Sequence, residues 1–280
     1  MIVERAPAKL NLLLWVGQPR ADGLHPLCSV FASIDLEDGV RVEPAPGGED
    51  TVLCRSVAGE NLATRALAAY RAAAPNAGLA PVTVTIEKRI PVAAGLAGGS
   101  ADAAAVLRAA TKLSARPLGP AGLHEVAAAL GSDVPSQLEP RAALVQGVGE
   151  RVEALALAPM AFVLVPSDDG LGTPEVYAEL DRLRASGAVP GRARLDPEAA
   201  RLLATGPVTE LAATMENDLE AAALSLRPEL AGSLDALRDA GALGVRITGS
   251  GPTAFGVFAE RFEAEAAALG IPGAMVAAAS

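Results

Sequence analysis

Four short segments carry residue types that could act together. Residues 7–16 read Pro-Ala-Lys-Leu-Asn-Leu-Leu-Leu-Trp-Val, with Lys9 and Asn11 two positions apart. In a strand, a period of two puts Lys9 and Asn11 on one face with Leu13 and Trp15. A buried lysine without a partner is costly. Lys9 therefore either reaches solvent at the strand mouth or faces an anion or a carboxylate, and Asn11 beside it favours a polar site.

The second segment is glycine-rich: Arg-Ile-Pro-Val-Ala-Ala-Gly-Leu-Ala-Gly-Gly-Ser-Ala-Asp, residues 89–102. It lies between a predicted strand and a predicted helix. Glycines let backbone approach a ligand closely. A helix start adds unpaired N–H groups and the positive end of the dipole, which together suit phosphate. It lacks the Gly-Lys-Ser/Thr of a Walker loop and the glycine spacing of the dinucleotide fingerprint. The alternative is a plain glycine turn with Ser100 as helix N-cap.

Asp133, in Gly-Ser-Asp-Val-Pro, is either a turn or cap residue or a carboxylate that takes a substrate proton. The fourth segment, Ile-Thr-Gly-Ser-Gly-Pro-Thr at 247–253, reads as a hairpin turn or as a second glycine loop beside the site.

The elements that would hold these segments mix strands and helices without regular βαβ alternation. Residues 82–90 alternate as a half-buried strand, and 161–165 form a buried one ended by Pro166. Short strands are expected at 40–44 and 51–55 around a turn at 44–48, and a hairpin at 244–258. Helices are expected at 61–73, 101–113, 121–130, 175–186, 217–225, 228–240 and 260–269, with an exposed loop at 187–197. The class is α+β, with an N-terminal domain at 1–157 and a C-terminal domain at 158–280.

The chain has 280 residues, 51% hydrophobic but only 3% aromatic, so the core must be aliphatic. That hydrophobicity excludes a disordered chain. A formal charge of −10 argues against a nucleic-acid partner. No apolar run is long enough to span a membrane, and the N-terminus does not read as a signal peptide. Two cysteines, Cys28 and Cys54, cannot make a disulfide framework. The expectation is a cytoplasmic protein with no membrane partner.

These segments, in this order, resemble the GHMP small-molecule kinases, whose signatures are a lysine-bearing N-terminal strand, a Pro-x-x-x-Gly-Leu-x-Gly-Gly-Ser loop and a C-terminal Gly-x-Gly segment. The motifs at 6–12, 20–25 (ending in His25), 60–62 (Glu60-Asn61-Leu), 88–91, 131–135, 147–150, 173–177 and 216–220 are similar to the branch acting on a cytidine diphosphate-linked methylerythritol. The resemblance implies a two-domain kinase fold, an N-terminal domain like ribosomal protein S5 domain 2 and a ferredoxin-like C-terminal domain. It implies ATP and Mg²⁺, phosphorylation of the 2-hydroxyl of that alcohol, and a monomer or weak homodimer. Asp133 would be the base and Lys9 its partner. Pro91, Val92, Ala93, Ala94, Gly95, Leu96, Ala97, Gly98, Gly99, Ser100 and Ala101 would wrap the phosphates, with Ser100 the candidate metal ligand. Asn61 and Lys88 would hold adenine. His25, Phe31 and Tyr177 would meet cytosine, and Asn11, Thr173 and Val148 the methylerythritol diphosphate.

Two positions depart from the family pattern. Leu24 stands where an aromatic residue commonly precedes the cytosine-reading histidine. Ala97 stands where glycine is usual, which its methyl group tolerates only at negative φ. Other kinases of the superfamily, of homoserine or mevalonate type, and a diphosphomevalonate-type decarboxylase are the alternative readings. A ligand sensor without catalysis is a further one, which the pairing of Lys9 with Asp133 disfavours.

Overall fold

The computed structural model describes residues 1–45, 48–55, 61–167 and 169–280. Residues 46–47 of the expected turn and Glu60 of the Glu-Asn-Leu motif lie outside the described residues.

Two antiparallel-rich sheets carry the chain. β1 (Ile2–Val16) and β2 (Leu27–Pro44) form a long antiparallel pair. On its other edge β2 pairs with β4 (Val82–Glu87) through residues 39–44 and with β5 (Ala143–Gly147) through residues 27–31. The strands β3 (Thr51–Cys54), parallel to β4, and β6 (Arg151–Ala154) close the edges. The helices α1 (Leu62–Ala73) and α2 (Gly98–Leu113) bring an alanine-rich surface onto this sheet, burying Ala103, Ala104, Val106 and Leu107 of α2, and α3 (Pro120–Leu130) packs on them. Small side chains allow that close helix–sheet approach, which is how a chain poor in aromatics still fills a core.

The second sheet is antiparallel, in the order β10–β7–β9–β8. Its strands are β7 (Ala161–Val165), β8 (Gly244–Ile247), β9 (Ala254–Phe258) and β10 (Met275–Ala278). Its helices are α4 (Thr173–Ala185), α5 (Pro197–Ala204), α6 (Val208–Thr214), α7 (Glu220–Leu226), α8 (Leu230–Asp239) and α9 (Arg261–Ala268). The expected α+β class, hairpin and most helices are observed; β2 as one 18-residue strand, β5, β6, β10, α5 and α6 are additional.

One apolar cluster spans both sheets, from Leu10, Leu12 and Val30 to Phe162 and Phe255. Polar staples reinforce it. Leu14 N–H donates to the Glu216 carbonyl, Asp218 N–H returns a bond to Leu14, and Trp15 Nε1 donates to Glu216 Oε2 at 2.6 Å.

The period-two reading of β1 holds only to Asn11. The ladder shifts register between Pro7 and Lys9 and again between Asn11 and Leu13, where Asn11 faces Phe31 and Leu13 already faces Val30. An extra residue at such a bulge swaps the faces beyond it. Leu13 and Trp15 therefore join the core cluster, and Leu14 takes the site-facing position.

Candidate active site

A cleft of about 900 Å³ opens between the glycine loop, β1 and α4. Lys9, Asn11, His25, Phe31, Asn61, Lys88, every residue from Pro91 to Gly99, Asp133, Val148, Thr173 and Tyr177 line it. Ser100 and Ala101 do not.

The glycine loop alternates handedness. Ala93 (φ 56°), Gly95 (φ 76°) and Ala97 (φ 56°) all lie in the left-handed region. Ala97 thus occupies the conformation that its methyl group disfavours, contrary to the negative φ expected of it. The Ser100 N-cap reading is also overturned. Ala97 is the N-cap of α2, and the first intrahelical bond runs from Ala101 N–H to the Ala97 carbonyl. The N–H groups of Gly98, Gly99 and Ser100 therefore precede the helical ladder and form its anion-binding end.

The loop is seated on the lysine strand and the C-terminal glycine turn. Lys9 N–H donates to the Leu96 carbonyl at 3.1 Å. A Cβ at Gly95 would stand 2.6 Å from the Gly251 carbonyl oxygen and 2.9 Å from that of Thr248, so the C-terminal glycine turn packs directly on the loop. Asn217 Nδ2 donates to the carbonyls of Ile247 and Gly249 and fixes that turn.

Lys9 is buried and sits at the centre. Its Nζ donates to Asn11 Oδ1 at 2.6 Å, lies 3.7 Å from Asp133 Oδ2, and is 4.8 Å from the centroid of the Phe31 ring. The three contacts supply a hydrogen bond, an opposite charge and a π-face to a desolvated ammonium. The structure thus selects the buried, partnered reading of Lys9. Phe31 serves this ammonium as well as lining the cleft. Asp133 follows α3 in a short turn, with Ser136 Oγ donating to its carbonyl. Gly149 (φ 112°) backs that turn: a Cβ there would meet the Ser132 carbonyl oxygen at 2.2 Å.

At the far end, His25 Nε2 and Asp181 Oδ1 are 2.9 Å apart, and the His25 and Tyr177 rings are 5.0 Å apart at 46°. Burial, and secondarily the Asp133 charge, push the Tyr177 hydroxyl up to about 12, so it stays neutral. Leu24 is half exposed at the rim. Asp181 carries no motif of its own, one turn of helix beyond Tyr177, and only the fold brings it to His25.

At the opposite end, Asn61 caps α1, its Oδ1 accepting from Thr64 N–H at 3.0 Å. Lys88 lines the cleft with its charge already paired. Its ammonium is buried between Asp38 Oδ2 (2.5 Å) and Asp102 Oδ2 (2.7 Å), and Asp38 Oδ1 also accepts from Arg89 and Ile90 N–H. The charge is consumed internally, beneath Gly98, where a Cβ would lie 3.2 Å from Lys88 Nζ. Burial drives the Asp102 carboxyl up to about 6, against the pull of Lys88. A strand-end lysine gives no sequence sign of two carboxylates 50 and 14 positions away.

The donor set fits a nucleotide triphosphate: three free N–H groups, a helix start and a cationic lysine at one cleft. Among the described residues no group of three or more His, Cys, Asp or Glu side chains could hold a metal ion, so the residues present would offer Mg²⁺ at most the Ser100 hydroxyl that the resemblance implies.

Residues 61–139 match the GHMP kinases N terminal domain and residues 199–277 the GHMP kinases C terminal model. The chain is 44% identical over 287 residues to 4-diphosphocytidyl-2-C-methyl-D-erythritol kinase of Nocardia farcinica (strain IFM 10152), covering 99% of this chain and 91% of that protein. It is 46% identical over 267 residues to the like-named kinase of Kineococcus radiotolerans, covering 90% and 80%. A solved structure of 4-(cytidine 5'-diphospho)-2C-methyl-D-erythritol kinase superposes over 100% of both chains, with a TM-score of 0.81 and 35% identity. The lysine strand, the phosphate loop and the C-terminal glycine turn, met here in one cleft, are those of the family these matches define: the chain belongs to the GHMP kinases, among the 4-diphosphocytidyl-2-C-methyl-D-erythritol kinases.

Proposed function

We propose that the protein transfers the γ-phosphoryl group of ATP to the 2-hydroxyl of 4-diphosphocytidyl-2-C-methyl-D-erythritol, giving the 2-phosphate and ADP, a step in non-mevalonate isoprenoid precursor synthesis. The observation that carries this reading is the Lys9–Asp133 pair, 3.7 Å apart, facing a loop whose free N–H groups suit a triphosphate.

An aliphatic hydroxyl is too weak an acid for a carboxylate to ionise it before reaction. In a loose phosphoryl-transfer transition state the proton leaves late. Asp133 orients the hydroxyl and accepts that proton as the oxygen–phosphorus bond forms and the bond to ADP breaks. Lys9 holds Asp133 by charge and stabilises the moving phosphoryl group. The N–H groups of Gly98, Gly99 and Ser100 receive the phosphate oxygens. Mg²⁺, when bound, would supply charge neutralisation at the nucleotide phosphates, with Ser100 the residue that would hold it.

His25, fixed by Asp181 and flanked by Tyr177, meets the cytosine with Phe31 near the ring; Asn11, Thr173 and Val148 border the methylerythritol diphosphate. Asn61 and Lys88 border adenine. The same proposal takes 1–157 and 158–280 as the two domains, since the chain leaves β6 at Ala154 and enters β7 at Ala161. It also takes the enzyme as cytoplasmic, acting on small molecules as a monomer or weak homodimer. Among the described residues no helix is long and apolar enough to cross a membrane.

Purified protein with ATP, Mg²⁺ and the cytidine diphosphate alcohol should release ADP. Turnover of homoserine or mevalonate instead, or release of CO₂ from diphosphomevalonate, would move the activity elsewhere in the superfamily.

A further inference from the structure

Behind Asn11, between β1 and β2, lies a buried polar chain whose other members, Ser29 and Thr248, do not line the cleft. Ser29 on β2 is fully buried. Its hydroxyl donates to the Leu13 carbonyl, beside the residue that the bulge after Asn11 displaces from the ladder. A hydroxyl has one proton. Toward Asn11, therefore, Ser29 Oγ can only accept, and it takes the Asn11 Nδ2 donor at 2.9 Å. That contact decides which way the Asn11 amide points: nitrogen to Ser29, oxygen to Lys9 Nζ at 2.6 Å. A flipped amide would turn its NH₂ on the ammonium, cost Lys9 its 2.6 Å acceptor, and set its oxygen against Ser29 Oγ, whose one proton already serves Leu13.

Thr248, also fully buried, closes the chain from the C-terminal glycine turn. Its Oγ1 accepts from Asn11 N–H at 3.0 Å and donates to Asn11 Oδ1 at 3.3 Å. The oxygen that holds Lys9 is thus itself held by a residue from the other half of the chain.

We propose that Ser29, through the Asn11 amide, is a positioning residue for Lys9, and that Thr248 ties this setting to the C-terminal turn. The inference rests on the reading of Lys9 as the phosphoryl-transfer lysine. Without Ser29 the amide loses the contact that selects its orientation, and the ammonium loses a fixed acceptor. A displacement of about 1 Å at such a group costs on the order of a hundredfold in rate.

The chain contains three lysines, Lys9, Lys88 and Lys112. Lysine-labelled protein therefore gives three side-chain NMR signals, and Lys112→Arg assigns one of them. In Ser29→Ala the Lys9 signal should shift or broaden while those of Lys88 and Lys112 stay in place. The kcat should fall roughly tenfold to a hundredfold, with both KM values within about twofold. Ser29→Thr should restore both readouts. In an Asn11→Ala background, Ser29→Ala should add nothing further, since residues acting through one contact are not additive. If Ser29→Ala fails to fold, Ser29→Cys, close in size with a weaker donor, carries the same measurements. An unmoved Lys9 signal, or losses that multiply in the double variant, would overturn the proposal. The NMR arm needs no substrate, so a wild-type enzyme inactive on the cytidine alcohol would defeat the proposed function and leave this question still decided.

Discussion

Lys9 Nζ stands 3.7 Å from Asp133 Oδ2, beyond a normal hydrogen bond, while the same nitrogen donates to Asn11 at 2.6 Å. The lysine is therefore anchored by the amide and only leans on the carboxylate. One face of Asp133 is left open to the cleft, where about a third of its side chain is exposed. A base needs that opening. Asp133→Asn keeps the shape and removes the proton acceptor, so kcat should fall by about 10²–10⁴, with ATP affinity within a few-fold of wild type. Lys9→Ala should lose a comparable factor. Turnover by Asp133→Asn near the wild-type rate, with nucleotide affinity measured by calorimetry, would rule out the role given to this carboxylate.

The phosphate loop carries strain at Ala97. An L-residue in the left-handed region costs about 1–2 kcal/mol, and glycine returns roughly 0.5–1 kcal/mol of that as freedom of the unfolded chain. Ala97→Gly should therefore be neutral or stabilising by up to about 1 kcal/mol in urea titrations of the free protein. Ala97→Val, β-branched at positive φ, should destabilise instead. Equal losses in both variants would mean that the backbone at 97 is not under this strain.

Gly95 joins the two glycine segments. Ala there would place its Cβ 2.6 Å from the Gly251 carbonyl oxygen, at a φ of 76°. Backbone cannot yield as a side-chain tip does, so the loop must lift from the C-terminal turn. Gly95→Ala should raise the KM for ATP and lower kcat together, since the N–H cradle and Lys9 share the Leu96 anchor. An increase confined to the KM of the cytidine substrate would contradict this coupling.

The glycine loop and the C-terminal turn are legible because each is local: glycine spacing, a strand flank and a helix start occur within 14 residues. Lys9 and Asp133 stay open between bland and site readings in the residues alone, and only the resemblance singles them out. What escaped is what depends on pairing across the fold. The bulge after Asn11 is set by β2, so the sequence of β1 alone puts Trp15 on the wrong face. Lys88 looks free until Asp38 and Asp102 close on it from two other elements. In the 18-residue β2 the stretch 28–34 is buried on both faces and shows no period, and only the alternating 40–44 stretch is legible as a strand. The helices α5 (8 residues) and α6 (7 residues) are too short to show a clear helical period, although Asp196 and Pro197 mark the start of α5.

The Lys88 cluster gives a pH signature. Burial raises Asp102 from 3.8 to about 6, so between those values the folded protein keeps a proton that the unfolded chain has lost. The stability contributed by this group is complete below the unfolded value and is lost as pH rises through about 6. Asp102→Asn removes the titration. It also costs Lys88 one partner, but that cost does not vary over this range. The stability of wild type minus that of Asp102→Asn should therefore decline from pH 4 to pH 7, measured by urea unfolding at each pH. Parallel curves would show that Asp102 titrates alike in both states.

Leu24 offers a gain rather than a loss. It lies at the rim beside His25, 52% exposed, where a ring could cover a base bound against the His25–Tyr177 pair. Stacking on an aromatic side chain is worth about 1–3 kcal/mol per base, and an exposed leucine gives up little packing when replaced. Leu24→Tyr should lower the KM for the cytidine substrate several-fold and leave the KM for ATP unchanged, because Asn61 and the phosphate loop lie at the other end of the cleft. The same variant tested with a uridine diphosphate analogue separates stacking from edge reading. Stacking tightens both pyrimidines alike, whereas a gain for cytidine alone would assign the new ring a hydrogen bond to the base. A KM for the cytidine substrate that does not fall would show that the base does not extend to this rim.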